Sequence, residues 1–216
     1  SVVWVSNGYL LSVSMTLAIF AALAARIGFR LLFTFGLSLF TLASVGCALS
    51  SSLEMLIIMR ILQGIGGAAT LSIGPAILRS IFPNRLLGRV LGLNALLIAT
   101  STAIAPVIGG TLLSAIGWQW LFAINIPLGI IAVILALRTI PGKSTSVRDP
   151  FDIPGAILSA IALGGLIMAA GTFSRPNIEE TPSNTLAIAT FYGIAAISAG
   201  LAFIWRQRRT AYPLLP

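Results

Sequence analysis

Long unbroken runs of hydrophobic residues dominate this chain, and short polar segments separate them at nearly regular intervals. A helix that crosses a bilayer needs about 20 mostly apolar residues. The pattern supplies that length seven times, over residues 2–25, 31–49, 53–77, 87–113, 121–137, 153–173 and 186–205. The predicted fold is all-α, a polytopic bundle of transmembrane helices. The first run has no basic flank and begins at Ser1 rather than Met, so it does not read as a cleaved signal peptide. A chain that starts inside a hydrophobic run and stops without a closing tail is expected to be a piece of a longer protein.

Composition agrees with the pattern. Of the 216 residues 57% are apolar and 8% charged, and the mean hydropathy is +1.03. A soluble domain carries about 25% charged residues, so an ordinary cytosolic fold is excluded. The lone cysteine, Cys47, excludes an intrachain disulfide framework. With no histidine, imidazole acid–base chemistry, most zinc sites and the usual nucleophilic triads are excluded as well. No catalytic constellation and no cofactor or metal set is visible.

The formal charge of +8 changes meaning once the basic residues are placed. Arg26 and Arg30, then Arg79, Arg85 and Arg89, then Arg138, Lys143 and Arg148, and finally Arg206, Arg208 and Arg209 fall on alternate connections and in the tail. The other connections hold Arg175 with Glu54, Glu179 and Glu180. The positive-inside rule then puts Ser1 outside and Pro216 in the cytoplasm. The charge is a topology signal and not a nucleic-acid surface. Trp4, Trp118 and Trp120 fall near the outer interface and Trp205 near the inner one, as aromatic belts do. In this topology each of the five acids lies at a membrane surface, and no internal carboxylate is expected.

Arg60 is the exception, a charge inside the third span. Such a residue faces a polar cavity or a partner, or it snorkels to the nearer interface. Arg60, Gly64, Gly67 and Ala68 share one helical face with Gln63 alongside, a stripe that admits a close backbone while Arg and Gln supply donors. The run Gly64-Ile-Gly66-Gly67-Ala68-Ala69 also fits a loose dinucleotide pattern, but it follows no strand and no ribose-binding acid occurs before Asp149. A second small-residue line, Ser101, Ala105 and Gly109 with Gly110 beside it, surrounds Pro106, and Gly88 and Gly92 form a further pair. Pro106 removes the donor for the Thr102 carbonyl and allows a kink. Close helix packing at these positions is expected.

These residues resemble the fourteen-helix drug–proton antiporter branch of the major facilitator superfamily. Arg60-Ile-Leu-Gln63-Gly64-Ile-Gly66-Gly67-Ala68 is similar to the motif of its fourth helix. Ser101 to Gly110 is similar to the antiporter motif of its fifth, with Ser and Ala replacing two usual glycines. Trp118-Gln-Trp120-Leu-Phe122-Ala-Ile-Asn125-Ile-Pro127-Leu-Gly129 resembles the start of its sixth. Arg26, Gly28 and Arg30 match its cytoplasmic gating loop, with Ala25 where an aspartate is usual. Asp149-Pro-Phe-Asp152-Ile-Pro154-Gly155 leads directly into the first of two extra helices.

The resemblance implies residues 1–138 as helices two to six of an N-terminal bundle, 139–152 as a short cytoplasmic loop, and 153–216 as two extra helices with a basic tail. It implies a proton-coupled exporter of amphipathic drugs in the cytoplasmic membrane, without a cofactor, completed by a first helix and a second half. In that reading Arg60, Gln63, Gly64 and Gly67 serve coupling or transport. The alternatives are an exporter of a metabolite, a transport-incompetent fragment that acts through interactions, and an intramembrane enzyme.

Overall fold

The computed structural model describes residues 3–140, 152–174 and 182–210. Among these every regular element is helical: α1 (Val3–Ile27), α2 (Phe29–Ala48), α3 (Leu53–Ile81), α4 (Asn84–Ala115), α5 (Trp120–Ala123), α6 (Asn125–Thr139), α7 (Ile153–Ser174) and α8 (Pro182–Arg209). Seven spans are long and apolar enough to cross a membrane, with α5 and α6 together making one. A turn at Ile124 divides that span in two. Pro127 explains the break, since it has no N–H to offer the Ala123 carbonyl. Lys143, Arg148, Asp149, Arg175, Glu179 and Glu180 lie outside the described residues.

Short connections force successive helices to run antiparallel. Gly28 alone joins α1 to α2, at φ +93°, where a side chain would be strained. Ser52 caps α3, its hydroxyl accepting from the Met55 amide at 3.2 Å. Gly117, at φ +102°, ends α4 by donating to the Leu112 carbonyl at 3.2 Å. These turns carry Arg26, Arg30, Arg79, Arg85, Arg138, Arg206, Arg208 and Arg209 to one end of the bundle. Trp4, Glu54, Trp118 and Trp120 fall at the other.

The centre is α3, which packs on α1 and α2 through glycines. A Cβ at Gly66 would lie 2.5 Å from the Phe40 amide nitrogen and 2.6 Å from the Gly36 carbonyl oxygen. One at Gly64 would overlap the Ser12 hydroxyl and lie 2.6 Å from the Tyr9 carbonyl oxygen. Behind α2 stands α6, where Gly129 receives Thr41. The α7–α8 hairpin is attached to α1.

α4 departs from the expectation of tight packing. It has no buried residue and touches only its chain neighbours α3 and α5. Cβ atoms at Gly88, Gly92 and Gly110 would meet nothing within 4 Å, and one at Gly109 only Leu121, at 3.9 Å. Ser101 and Ala105 are exposed, and the helix runs on through Pro106. The small-residue line is present, but nothing among the described residues covers it. Asp152 adds a feature that depth alone does not give. Asp152 stands at the basic end yet is buried, its side chain 1% exposed, because α8 and the first turn of α7 close over it.

Candidate functional site

Arg60 lies two turns into α3, close to the end that carries Trp4 and Trp118. Its guanidinium is half-buried and held on three sides. Nε donates to the Val5 carbonyl at 3.2 Å, and Nη1 donates to Gln63 Oε1 at 2.8 Å. The group also lies over the Tyr9 ring, 4.5 Å from its centroid, and 5.5 Å from that of Phe122. Both contacts are attractive, because an aromatic face is electron-rich. Nη2 has no hydrogen bond to a described residue.

Gln63 is 1% exposed and passes the contact inward, its Nε2 donating to the Ser44 hydroxyl at 2.7 Å. Ser44 Oγ in turn donates to the Phe40 carbonyl at 2.8 Å. The chain of bonds therefore runs from the α1 backbone through Arg60 and Gln63 to the α2 backbone. A buried amide that lost either partner would carry the full cost of desolvation, so the network fixes where Arg60 points. The head group bonds to protein on both sides, at Val5 of α1 and Gln63 of α3.

Beside Arg60 opens a cavity of about 370 Å³, lined by Tyr9, Phe40, Arg60, Gln63, Leu121, Phe122 and Asn125. Arg60 is its one charged residue. Glu54 and Asp152 are the acids among the described residues, and the one ion pair there joins Asp152 to Arg206. Among the described residues Arg60 thus meets neutral groups only. No group of three or more potential metal ligands occurs among the described residues.

The structure brings some of the predicted site residues together and separates others. Arg60, Gln63 and Asn125 meet at the cavity, and Gly67 lies behind it, where a Cβ would stand 3.3 Å from the Tyr9 hydroxyl. Gly64 is a crossing point of α1 and α3 and does not line the cavity. Trp120 is exposed, and the neighbouring Trp118 packs edge-on against Phe122. Pro127 belongs to the first turn of α6. At the opposite end Arg26 donates to the Ala22 carbonyl at 3.0 Å, and Arg30 donates to the Leu137 carbonyl near the C-terminus of α6. A cation there complements the helix dipole. Sequence reasoning missed Tyr9, Phe40 and Ser44. The small residues Gly36 and Ser44, two helical turns apart on either side of Phe40, were the available signal.

The chain matches the family model described as Major Facilitator Superfamily over residues 1–208. It is 41% identical to the uncharacterized transporter YebQ of Escherichia coli (strain K12), over all of this chain and 46% of that protein. It is 33% identical to the methylenomycin A resistance protein of Streptomyces coelicolor, over 99% of this chain and 44% of that protein. With the riboflavin transporter RibZ of Clostridioides difficile it shares 35% identity, over 77% of this chain and 37% of that protein. The chain spans less than half the length of these curated relatives.

Proposed function

The chain belongs to the Major Facilitator Superfamily, and on that premise we propose that it is part of a proton-coupled exporter of amphipathic small molecules. Its basic end faces the cytoplasm, by the positive-inside rule, and the membrane is the cytoplasmic one. The relative named for methylenomycin A resistance supports export of a toxic compound.

The observation that carries the reading is Arg60, a fixed cation at a cavity wall with no carboxylate of the described residues beside it. Arginine does not deprotonate in proteins, so Arg60 is not the proton carrier. A guanidinium in this position stabilises the ionised form of a carboxylate brought next to it. Rocking of two halves about a central site, the alternating-access scheme, would bring such a group up and take it away. The carboxylate comes from the first helix or the second half of the full-length protein. Gln63 and Ser44 hold Arg60 in place, and Tyr9 and Phe122 offer aromatic faces to an amphipathic substrate.

The test is dye efflux and substrate-induced proton release by the full-length protein. Arg60→Lys keeps the charge and loses the planar fork, and export is expected to fall. Arg60→Ala is expected to abolish proton-coupled export while the protein still inserts. Export by Arg60→Ala at the parental rate would refute the assignment. The relative named as a riboflavin transporter favours a second reading, export of a planar metabolite. Competition of riboflavin against the dye separates the two.

A further inference from the structure

Asp152 is a buried acid for which transport through the Arg60 cavity has no use. It does two things at once. Its Oδ1 accepts from the Gly155 amide at 3.1 Å, which starts α7, and accepts from Arg206 Nε at 2.9 Å, which ties down the end of α8. Gly155 is needed for this, since a Cβ there would overlap the carboxylate. Oδ2 is buried without a hydrogen-bond partner among the described residues. Burying a charge with one oxygen unsatisfied is unfavourable, and an apolar pair would serve simple packing equally well. Such a pair is suited to fixing register.

The same end of the hairpin is seated on α1. Ala22 and Ala156 are buried together, with Ile19 and Phe203 packed around them. Two turns deeper on the α1 stripe, Met15 fits against Gly164, whose added Cβ would come within 3.0 Å of it. Tyr9 and Ser12, nearer the start of α1, meet α3 at Gly64, so α1 touches both α3 and the hairpin.

We propose that Asp152 is a positioning residue that fastens α7 and α8 to α1, so that the hairpin moves as one body with this half of the exporter and is not a slack linker. The motion rests on the two-half transport reading; the latch does not. The experiment uses the full-length protein, with Ala22→Cys and Ala156→Cys as its sole cysteines and a protease site in segment 141–151. Mild oxidation is expected to join the two fragments and to leave dye export unchanged. Asp152→Ala should slow the joining by about tenfold, since Arg206 then has no anion to hold it. Asp152→Asn keeps an acceptor for the Gly155 amide and loses the charge, so it should slow the joining as Asp152→Ala does; joining at the parental rate in Asp152→Asn would show that the cap and not the charge pair holds the hairpin. Joining that is as fast in Asp152→Ala overturns the latch. Export that stops on joining and returns on reduction overturns the single-body motion. If the reduced protein exports nothing, the transport reading fails, while the joining rates still decide the latch.

Discussion

Gly66→Ala would place a methyl group 2.5 Å from the Phe40 amide nitrogen and 2.6 Å from the Gly36 carbonyl oxygen. Both are backbone atoms of α2, so no rotamer change relieves the overlap. To restore ordinary contact, α2 must retreat from α3 by about 0.9 Å, the gap between 2.5 and 3.4 Å. That retreat runs into the other side of α2, where Thr41 is already pressed on Gly129 of α6. Overpacking costs about 1–3 kcal/mol, and a backbone-to-backbone clash belongs at the upper end. Against it, alanine gains roughly 0.8–1 kcal/mol in helix propensity over glycine. The net expectation is a destabilisation of about 2 kcal/mol, of the order of 5 °C in Tm for a chain this size. Gly92→Ala is the control. Nothing lies within 4 Å of its added Cβ, so propensity acts alone and the change stabilises by up to about 1 kcal/mol. Thermal unfolding of the 216-residue chain in detergent reads both variants. Equal shifts, or a Gly66→Ala protein at least as stable as the Gly92→Ala protein, would refute the packing argument.

Two further outcomes follow from the same contacts. Ser44→Ala leaves Gln63 Nε2 buried without an acceptor, which costs about 1–3 kcal/mol; export should fall, Ser44→Thr should recover part of it, and unchanged stability and export would dismiss the network as incidental. Gly109→Leu should leave thermal stability of this chain within about 0.5 kcal/mol of parent, since its site is open here. In the full-length protein it should stop export, the outcome expected of a face that receives another helix; normal export there would show that the face meets lipid.

How much of this could be read beforehand depends on what each feature answers to. The spans were legible because bilayer thickness dictates their length, and the alternation of arginines was legible because it concerns ends rather than faces. Arg60 stood out for a similar reason, as a charge at a depth where charges are expensive. Its surroundings were not legible. Tyr9 and Phe122 look like any other apolar-span aromatics until two different helices bring them over one guanidinium. The glycines were misjudged in both directions. Gly66, one glycine among several in the fourth-helix motif, proves to be where two backbones meet, whereas the line from Ser101 to Gly109 is left open by the described residues. Small residues state that a neighbour can approach and never which neighbour, so their meaning waits for the topology.

Asp152 shows the opposite limit. Its position before a proline, a glycine and an apolar run is a helix-start signal, and the cap is where that signal puts it. Its burial was unreadable, because it depends on Arg206, which is 54 residues away and returns along α8 to the same end of the bundle. A residue placed at the membrane surface by one helix is still shielded from water when the next helix closes over it. Hydropathy fixes depth along the membrane normal, but shielding from water within that plane is set by which helices are neighbours. The gating loop obeys the same distinction: Gly28 announced its turn locally, while Arg30 found the end of α6 only through the packing of α2 on α6.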